Sequence, residues 1–255
     1  MDKRTLLQSF GEEEKLEVLN LYEKYELAYN KDITIFSNGF YPPNIWKVFE
    51  NNFHNNYFKV ESYGGFEDCE RRMISFNNNY NLPYPIKLLK ISTTSKFVNL
   101  NHKDFLGAIL ALGIKRNKIG DLILKNDYCY FNVCEELVEF IINNLKSIGK
   151  SPCKVTIINE SLEDLSPSFK EEIILVKSLR VDSIVSKISR ISRGKAQELI
   201  EAGLVSIDYN KVKDKSKELK IDERVTIRGK GKYIIYKIIG NSKSGSFKVL
   251  IKKYT

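Results

Sequence analysis

Apolar residues recur at spacings of three and four in two stretches of the middle of the chain. Over residues 103–112, Phe105, Leu106, Ile109 and Leu110 fall on one face, which predicts a helix with Asn101 as its N-cap. Over residues 135–145, Leu137, Val138, Ile141, Ile142 and Leu145 do the same and predict a second helix. Shorter apolar runs at 86–91, 119–124, 128–133 and 154–158 read as strands, with a turn at 126–127. The resulting order, β-α-β-β-α-β, is that of the ferredoxin-like unit, which is also the RNA-recognition-motif fold. In the third strand Tyr128 and Tyr130 alternate against Cys129 and Phe131, so one of the two aromatic faces belongs to the core. The strand lacks the Lys/Arg-Gly-Phe-Gly-Phe run of base-stacking RNA-recognition motifs.

Before this unit, residues 12–29 read as a helix carrying Leu16, Leu19 and Leu27, with acidic residues in its first turn. Pro42-Pro43 interrupts the chain, and residues 44–53 resume as a helix bearing Ile45, Trp46, Val48 and Phe49. Residues 57–62 alternate like a strand. Gly64-Gly65 reads as a strand-to-helix turn, with close backbone approach as the alternative. An asparagine cluster ending at Pro83 reads as a linker.

After it, the segment around Pro167 forms a link, and residues 169–176, apolar on one face, are expected to pack domains together. Ser192 then stands where a helix N-cap would, Ala196, Leu199 and Ile200 share a face, and Gly203 ends the helix. A short strand at 204–207, a turn at 208–210, a lysine-rich loop and a strand at 225–228 follow. The pattern therefore divides the chain into an N-terminal mixed helical region (1–80), a ferredoxin-like domain (84–160) and a basic α/β module (177–255), an α+β architecture throughout.

Charge sharpens this division. The chain carries a net +9, yet residues 177–255 hold 20 Lys/Arg against eight Asp/Glu, a net +12, which leaves −3 for the rest. Cations concentrated in one module point to a polyanionic partner for that module. Arg190, Arg193 and Lys195 surround the start of the Ser192 helix, where free amides and the positive helix end favour an anion. An ordinary solvated helix face is the alternative there. The loop 113–120 packs Lys115, Arg116 and Lys118 between glycines and is a second phosphate-contact candidate, again with a solvated loop as the alternative.

Other chemistry finds little footing. Four cysteines (Cys69, Cys129, Cys134, Cys153) show no CxxC spacing and only His54 and His102 could join them, so no metal site is expected. There is no nucleophile elbow, and Gly229-Lys230-Gly231-Lys232 is a basic turn, not a P-loop. No catalytic residue and no cofactor is expected. The N-terminus is not a signal core and no apolar run is long enough to span a bilayer, so the expectation is a cytoplasmic protein with no membrane partner.

Arg180-Val181-Asp182, Ser192-Arg193-x-x-Ala196, Leu199-Ile200-x-x-Gly203-x-Val205 and Val225-x-Ile227-Arg228-Gly229-x-Gly231 resemble the S4 RNA-binding domain, the αL-type module. The turn departs from that family's usual Val-Asn-Gly, reading Ile207-Asp208-Tyr209-Asn210, where Asn can take the left-handed conformation. Together with Leu106-Gly107-Ala108, the 112–121 stretch and Tyr63-Gly64-Gly65-Phe66-Glu67-x-x-Glu70-Arg71, the chain resembles the YlmH family. The resemblance implies a non-catalytic bacterial protein that contacts large-subunit rRNA and peptidyl-tRNA in ribosome-associated quality control; a monomer, with other quality-control factors as further partners, is the accompanying expectation. Members were first linked to cell division. It also implies RNA contacts at Arg180, Ser192, Arg193 and Lys195, with Arg228 and Lys230 beside them; Lys232, in the same basic turn, is a further candidate contact outside what the resemblance implies. The alternatives are an RNA-modifying enzyme of an S4-containing class, and an interaction protein for ribosome assembly or division.

Overall fold

In the computed structural model the described residues are 1–66, 69–93, 100–125, 127–159 and 165–254. They form two compact units, Met1–Ser166 and Pro167–Thr255.

The first unit opens with α1 (Lys3–Gln8), α2 (Glu12–Lys31), β1 (Ile35–Tyr41), α3 (Pro43–Phe53), β2 (Val60–Tyr63) and β3 (Arg72–Phe76). Asp2 caps α1 by accepting from the Thr5 amide at 2.8 Å, and Pro43 occupies the first turn of α3, where its missing N–H costs nothing. Val18, Leu21 and Ala28 of α2 and Ile45, Trp46, Phe49 and Phe53 of α3 bury against the sheet. The N-terminal region is therefore less helical than the pattern predicts, because β1, β3 and β2 form an antiparallel sheet in that order. Its β1 strand is interrupted by Ser37-Asn38-Gly39, where the register shifts. The buried Ser37 hydroxyl donates to the Gly39 carbonyl and accepts from the Ile74 amide, so the interruption is a bulge bridged by a side chain.

The same unit continues with β4 (Ile86–Thr93), α4 (His102–Leu110), β5 (Ile119–Lys125), β6 (Tyr128–Cys134), α5 (Val138–Asn144), β7 (Ser147–Ile148) and β8 (Ser151–Ile158). Asn101 caps α4 as expected: it accepts from the Lys103 amide, while the Asp104 carboxylate accepts from the Asn101 amide in a capping box. The sheet order is β5-β6-β4-β8-β7 with every pairing antiparallel. Leu89, Ile91, Cys129, Phe131, Val133 and Val155 bury against Phe105, Ile109, Val138 and Ile141 of the two helices.

The Gly64-Gly65 segment is a close approach, and no helix follows it: the next regular element is β3. Gly65 has φ 96°, and a Cβ there would lie 2.3 Å from the Asn132 Nδ2, which itself donates to the Gly64 carbonyl at 2.9 Å. Nearby, the Glu70 and Arg71 amides both donate to Asp121 Oδ2, at 2.5 and 3.0 Å. These contacts fasten the segment to the middle sheet.

The second unit holds β9 (Phe169–Val176), α6 (Val181–Ser189), α7 (Arg193–Glu201), β10 (Val205–Ile207), β11 (Asn210–Lys211), β12 (Arg224–Ile227), β13 (Gly231–Asn241) and β14 (Phe247–Tyr254). One antiparallel sheet runs β11-β10-β12-β13-β14-β9. The apolar 169–176 segment, expected to pack domains together, is the edge strand of this sheet. Its Ile174 and Val176 enter the unit's own core with Val181, Ile184, Val185, Ala196, Ile200, Val225, Ile235 and Ile251. Gly203 takes the left-handed C′ role with φ 67°. The turn after β10 places Asp208 (φ 45°) and Tyr209 (φ 70°) in the left-handed region, while Asn210 enters β11. The tolerance expected of Asn210 is thus exercised by its two predecessors, as a tight hairpin turn requires. Among the described residues no helix is long and apolar enough to cross a membrane.

Candidate nucleic-acid interface

The second unit's two helices meet through a buried carboxylate. Asp182 stands in the first turn of α6 and its side chain is wholly buried. Arg180, the N-cap of α6, donates from Nε to Oδ1 at 3.3 Å and from Nη2 to Oδ2 at 3.2 Å. Arg193, the first residue of α7, donates from Nε to Oδ2 at 2.9 Å and from Nη2 to Oδ1 at 3.2 Å. Gln197, one turn on, adds Nε2 to Oδ2 at 3.0 Å. Burial opposes the charged form of this carboxylate, but the bonds from Arg180, Arg193 and Gln197 outweigh it and hold the carboxyl well below the usual range.

This arrangement does two things. It spends one negative charge on two guanidiniums, so the cluster keeps a net positive charge. It also fixes the Nε edge of each guanidinium, leaving Nη1 of each for an outside acceptor. The Arg193 side chain is 54% exposed, so solvent and an outside acceptor reach it. A pre-oriented arginine loses less entropy on gripping a phosphate than a free one.

Around the pair, Ser192 caps α7 by accepting from the Lys195 amide at 3.3 Å, and both residues are exposed. The 212–219 loop runs beside the start of α6: the Val181 amide donates to the Lys217 carbonyl and the Leu219 amide to the Leu179 carbonyl, both at 2.9 Å. Lys213 and Lys217 of that loop are exposed. The isolated bridge between Arg180 and Glu218 completes the seam. Sequence reasoning missed Asp182, Gln197, Lys213 and Lys217 as parts of the site. An aspartate two residues after one arginine and eleven before another was the available signal for the first of them.

The remaining expected cations are placed differently. Arg190 takes the left-handed cap of α6 at φ 55° and makes a 3.5 Å ion pair with Glu172, its side chain 85% exposed. Arg228 and Lys230 are exposed in the turn joining β12 to β13, and the Arg228 amide donates to the Leu204 carbonyl. Lys232 is turned inward: its Nζ donates to the Tyr209 hydroxyl at 2.7 Å and lies over the Tyr209 and Tyr254 rings. There it braces the strained turn.

In the first unit the second candidate cluster is mostly internal. Arg116 Nη1 donates to the Ile119 and Gly120 carbonyls. Lys118 pairs with Glu136 at 2.6 Å and donates to the Asn38 carbonyl. Lys115 alone of the three is an exposed side chain.

Comparison with known proteins finds one domain match in each unit. A family model described as "Putative RNA-binding domain in YlmH" matches residues 81–163, and the S4 domain model matches residues 179–225. The "Ribosome-associated protein quality control protein P2" of Bacillus subtilis (strain 168) is 29% identical over 197 residues, covering 74% of this chain and 76% of that protein. A solved structure titled "Cell division protein ylmH from Streptococcus pneumoniae" is 21% identical, with a TM-score of 0.48 over 58% of this chain and 93% of that one. The chain thus carries matches to the YlmH RNA-binding domain and to the S4 domain, in that order, and is similar over most of its length to the Bacillus quality-control protein.

Proposed function

We propose that this chain binds folded RNA at the large ribosomal subunit, contacting rRNA and peptidyl-tRNA, and assists quality control of stalled nascent chains. The observation that carries the reading is the Asp182-organised pair, Arg180 and Arg193, at the heads of two helices in a module of net +12. Arg180, Arg193, Ser192 and Lys195 form the primary phosphate contacts, with Arg190, Arg228, Lys230, Lys213 and Lys217 around them. A-form RNA hides its major-groove edges, so phosphate and 2′-hydroxyl contacts dominate such a grip. Lys232 supports the site by holding the Asp208-Tyr209 turn, and Lys115, Arg116 and Lys118 supply at most the one exposed contact of Lys115. The quality-control assignment draws on the name of the Bacillus relative.

In the same reading the middle sheet is a ferredoxin-like domain, supported by the order of its second, third, first and fourth main strands, all antiparallel, with α4 and α5 at the two crossovers. The protein works in the cytoplasm as a monomer and carries out no chemistry of its own. Co-sedimentation with bare large subunits and with large subunits holding peptidyl-tRNA tests this. Selective capture of the tRNA-blocked subunit supports quality control. Equal capture of both assigns the protein to assembly or general rRNA binding, and no capture of either refutes the ribosomal reading.

A further inference from the structure

The middle sheet has a second face that its helices do not cover. Cys129 and Phe131 of β6 bury into the core on the helix side. Tyr128 and Tyr130 alternate to the opposite side, where both are partly exposed. Their rings stand edge to face with centroids 6.3 Å apart. Register fixes their neighbours: Tyr128 lies between Lys125 of β5 and Ser92 of β4, and Tyr130 lies between Ile123 of β5 and Lys90 of β4. One strand further, Ser92 faces Lys154 and Lys90 faces Thr156 of β8. Lys90 Nζ sits 3.7 Å from the Tyr128 ring centroid. These eight positions hold two tyrosines and three lysines and no carboxylate.

The rest of the same face is closed off, because Asn132 and Asp121 are engaged by the Gly64 and Glu70-Arg71 backbone. Ile123 on this face is buried as well, so the open part is the pair of tyrosine rings bordered by cations, on the central strands of the sheet. Planar rings bordered by ammonium groups suit unpaired bases joined by phosphates: each ring offers a π-face to a base, and the lysines follow the backbone. Lys90 covers Tyr128 in the free protein, and it can exchange that ring for a phosphate when a base takes the ring face. From this juxtaposition we infer that the Tyr128–Tyr130 face binds single-stranded RNA by base stacking, as a second RNA site separate in sequence and chemistry from the Arg180–Arg193 grip. It goes beyond the family-level description of an RNA-binding domain by naming the surface, the bases' unpaired state and the residues that hold them.

The test uses the full chain with two probes: a single-stranded RNA 10-mer carrying 2-aminopurine, and a blunt RNA duplex. Stacking quenches 2-aminopurine, so the wild-type protein should quench the single strand on binding. Tyr128→Ala with Tyr130→Ala should weaken single-strand binding by at least about 10-fold and leave duplex binding unchanged. Tyr128→Phe with Tyr130→Phe should retain the quench. Arg180→Ala with Arg193→Ala should do the reverse, losing duplex and keeping the single strand. Should the double alanine variant fold poorly, Lys90→Gln with Lys154→Gln reads the same site, lowering the single-strand salt slope by about 1.4. Unquenched binding by the wild type, or full single-strand affinity in the double alanine variant, overturns the inference. Loss of duplex binding by the wild type alone would sink the proposed S4-face function and leave this site standing.

Discussion

Replacing Asp182 with asparagine keeps its volume and removes the charge on which Arg180, Arg193 and Gln197 converge. Oδ2 receives three donors and Oδ1 two, the latter at 3.2 and 3.3 Å. An asparagine must put its NH2 at one of these positions, and the Oδ1 side sacrifices fewer bonds. Two charge-assisted bonds would contribute about 1.5–3 kcal/mol each in a buried setting. They are long, and the guanidiniums are 35% and 54% exposed, so solvent screening brings the expected loss to about 2–3 kcal/mol in total. With a urea slope of about 1.5 kcal/mol/M, the midpoint of the second unit should fall by about 1.3–2 M. Far-ultraviolet circular dichroism reports both units, and the part of its change that Trp46 fluorescence does not share follows that transition. The single tryptophan, Trp46, lies in the first unit, so its fluorescence gives an internal reference that should not move. A circular-dichroism midpoint that stays put, or a Trp46 transition that shifts as much, would refute the idea that this carboxylate organises the second unit. The acid limb gives a second reading of the same residue. The folded-state carboxyl titrates below its ordinary value of 3.8, so its stabilisation is complete above that pH and drains away as pH falls towards the folded value. Asp182→Asn should flatten that limb.

Three further outcomes follow from named contacts. Arg193→Ala should weaken affinity for large subunits by about 1–3 kcal/mol, one charge-assisted contact, measured by filter binding at fixed salt; an unchanged dissociation constant removes Arg193 from the site. Gly65→Ala forces a Cβ against the Asn132 side chain at a left-handed backbone position, so the Trp46 transition should drop by roughly 2 kcal/mol or more, and an unshifted transition would show that the segment yields freely. Burial pushes the Cys134 thiol up to about 11 and the Cys129 thiol up as well, so maleimide at pH 8 should spare both until urea unfolds the first unit; rapid native labelling of either, read by peptide mass, would contradict their burial.

Much of the middle sheet was legible because its strands are short apolar runs and its helices keep a clean three-four spacing. Asn101 announced its helix by residue type alone. In the second unit the Ser192 cap and Gly203 stop bracketed α7 correctly for the same reason. The sequence was opaque where geometry reuses polar residues. Ser37-Asn38-Gly39 has the composition of a turn, yet Ser37 supplies the missing ladder bonds and the strand passes through. The long hairpin of β13 and β14 is crossed by lysines at 232, 237, 248, 252 and 253, which hides its alternation. Among the candidate cations, composition could not separate Arg116 and Lys118, which bond inward, from Lys115, which does not. Nor could it show that Arg180 and Arg193, thirteen residues apart, share one carboxylate.

The central claim is that the second unit grips RNA phosphates through the Arg180–Arg193 pair. The salt dependence of RNA affinity tests it most directly, measured for the wild type and for Arg180→Ala with Arg193→Ala on the same folded RNA. Each lost phosphate contact should reduce the slope of log affinity against log salt by about 0.9 on duplex-like RNA. The account predicts a slope shallower by about 1–2 in the double variant, together with weaker binding. A slope that stays the same would contradict it.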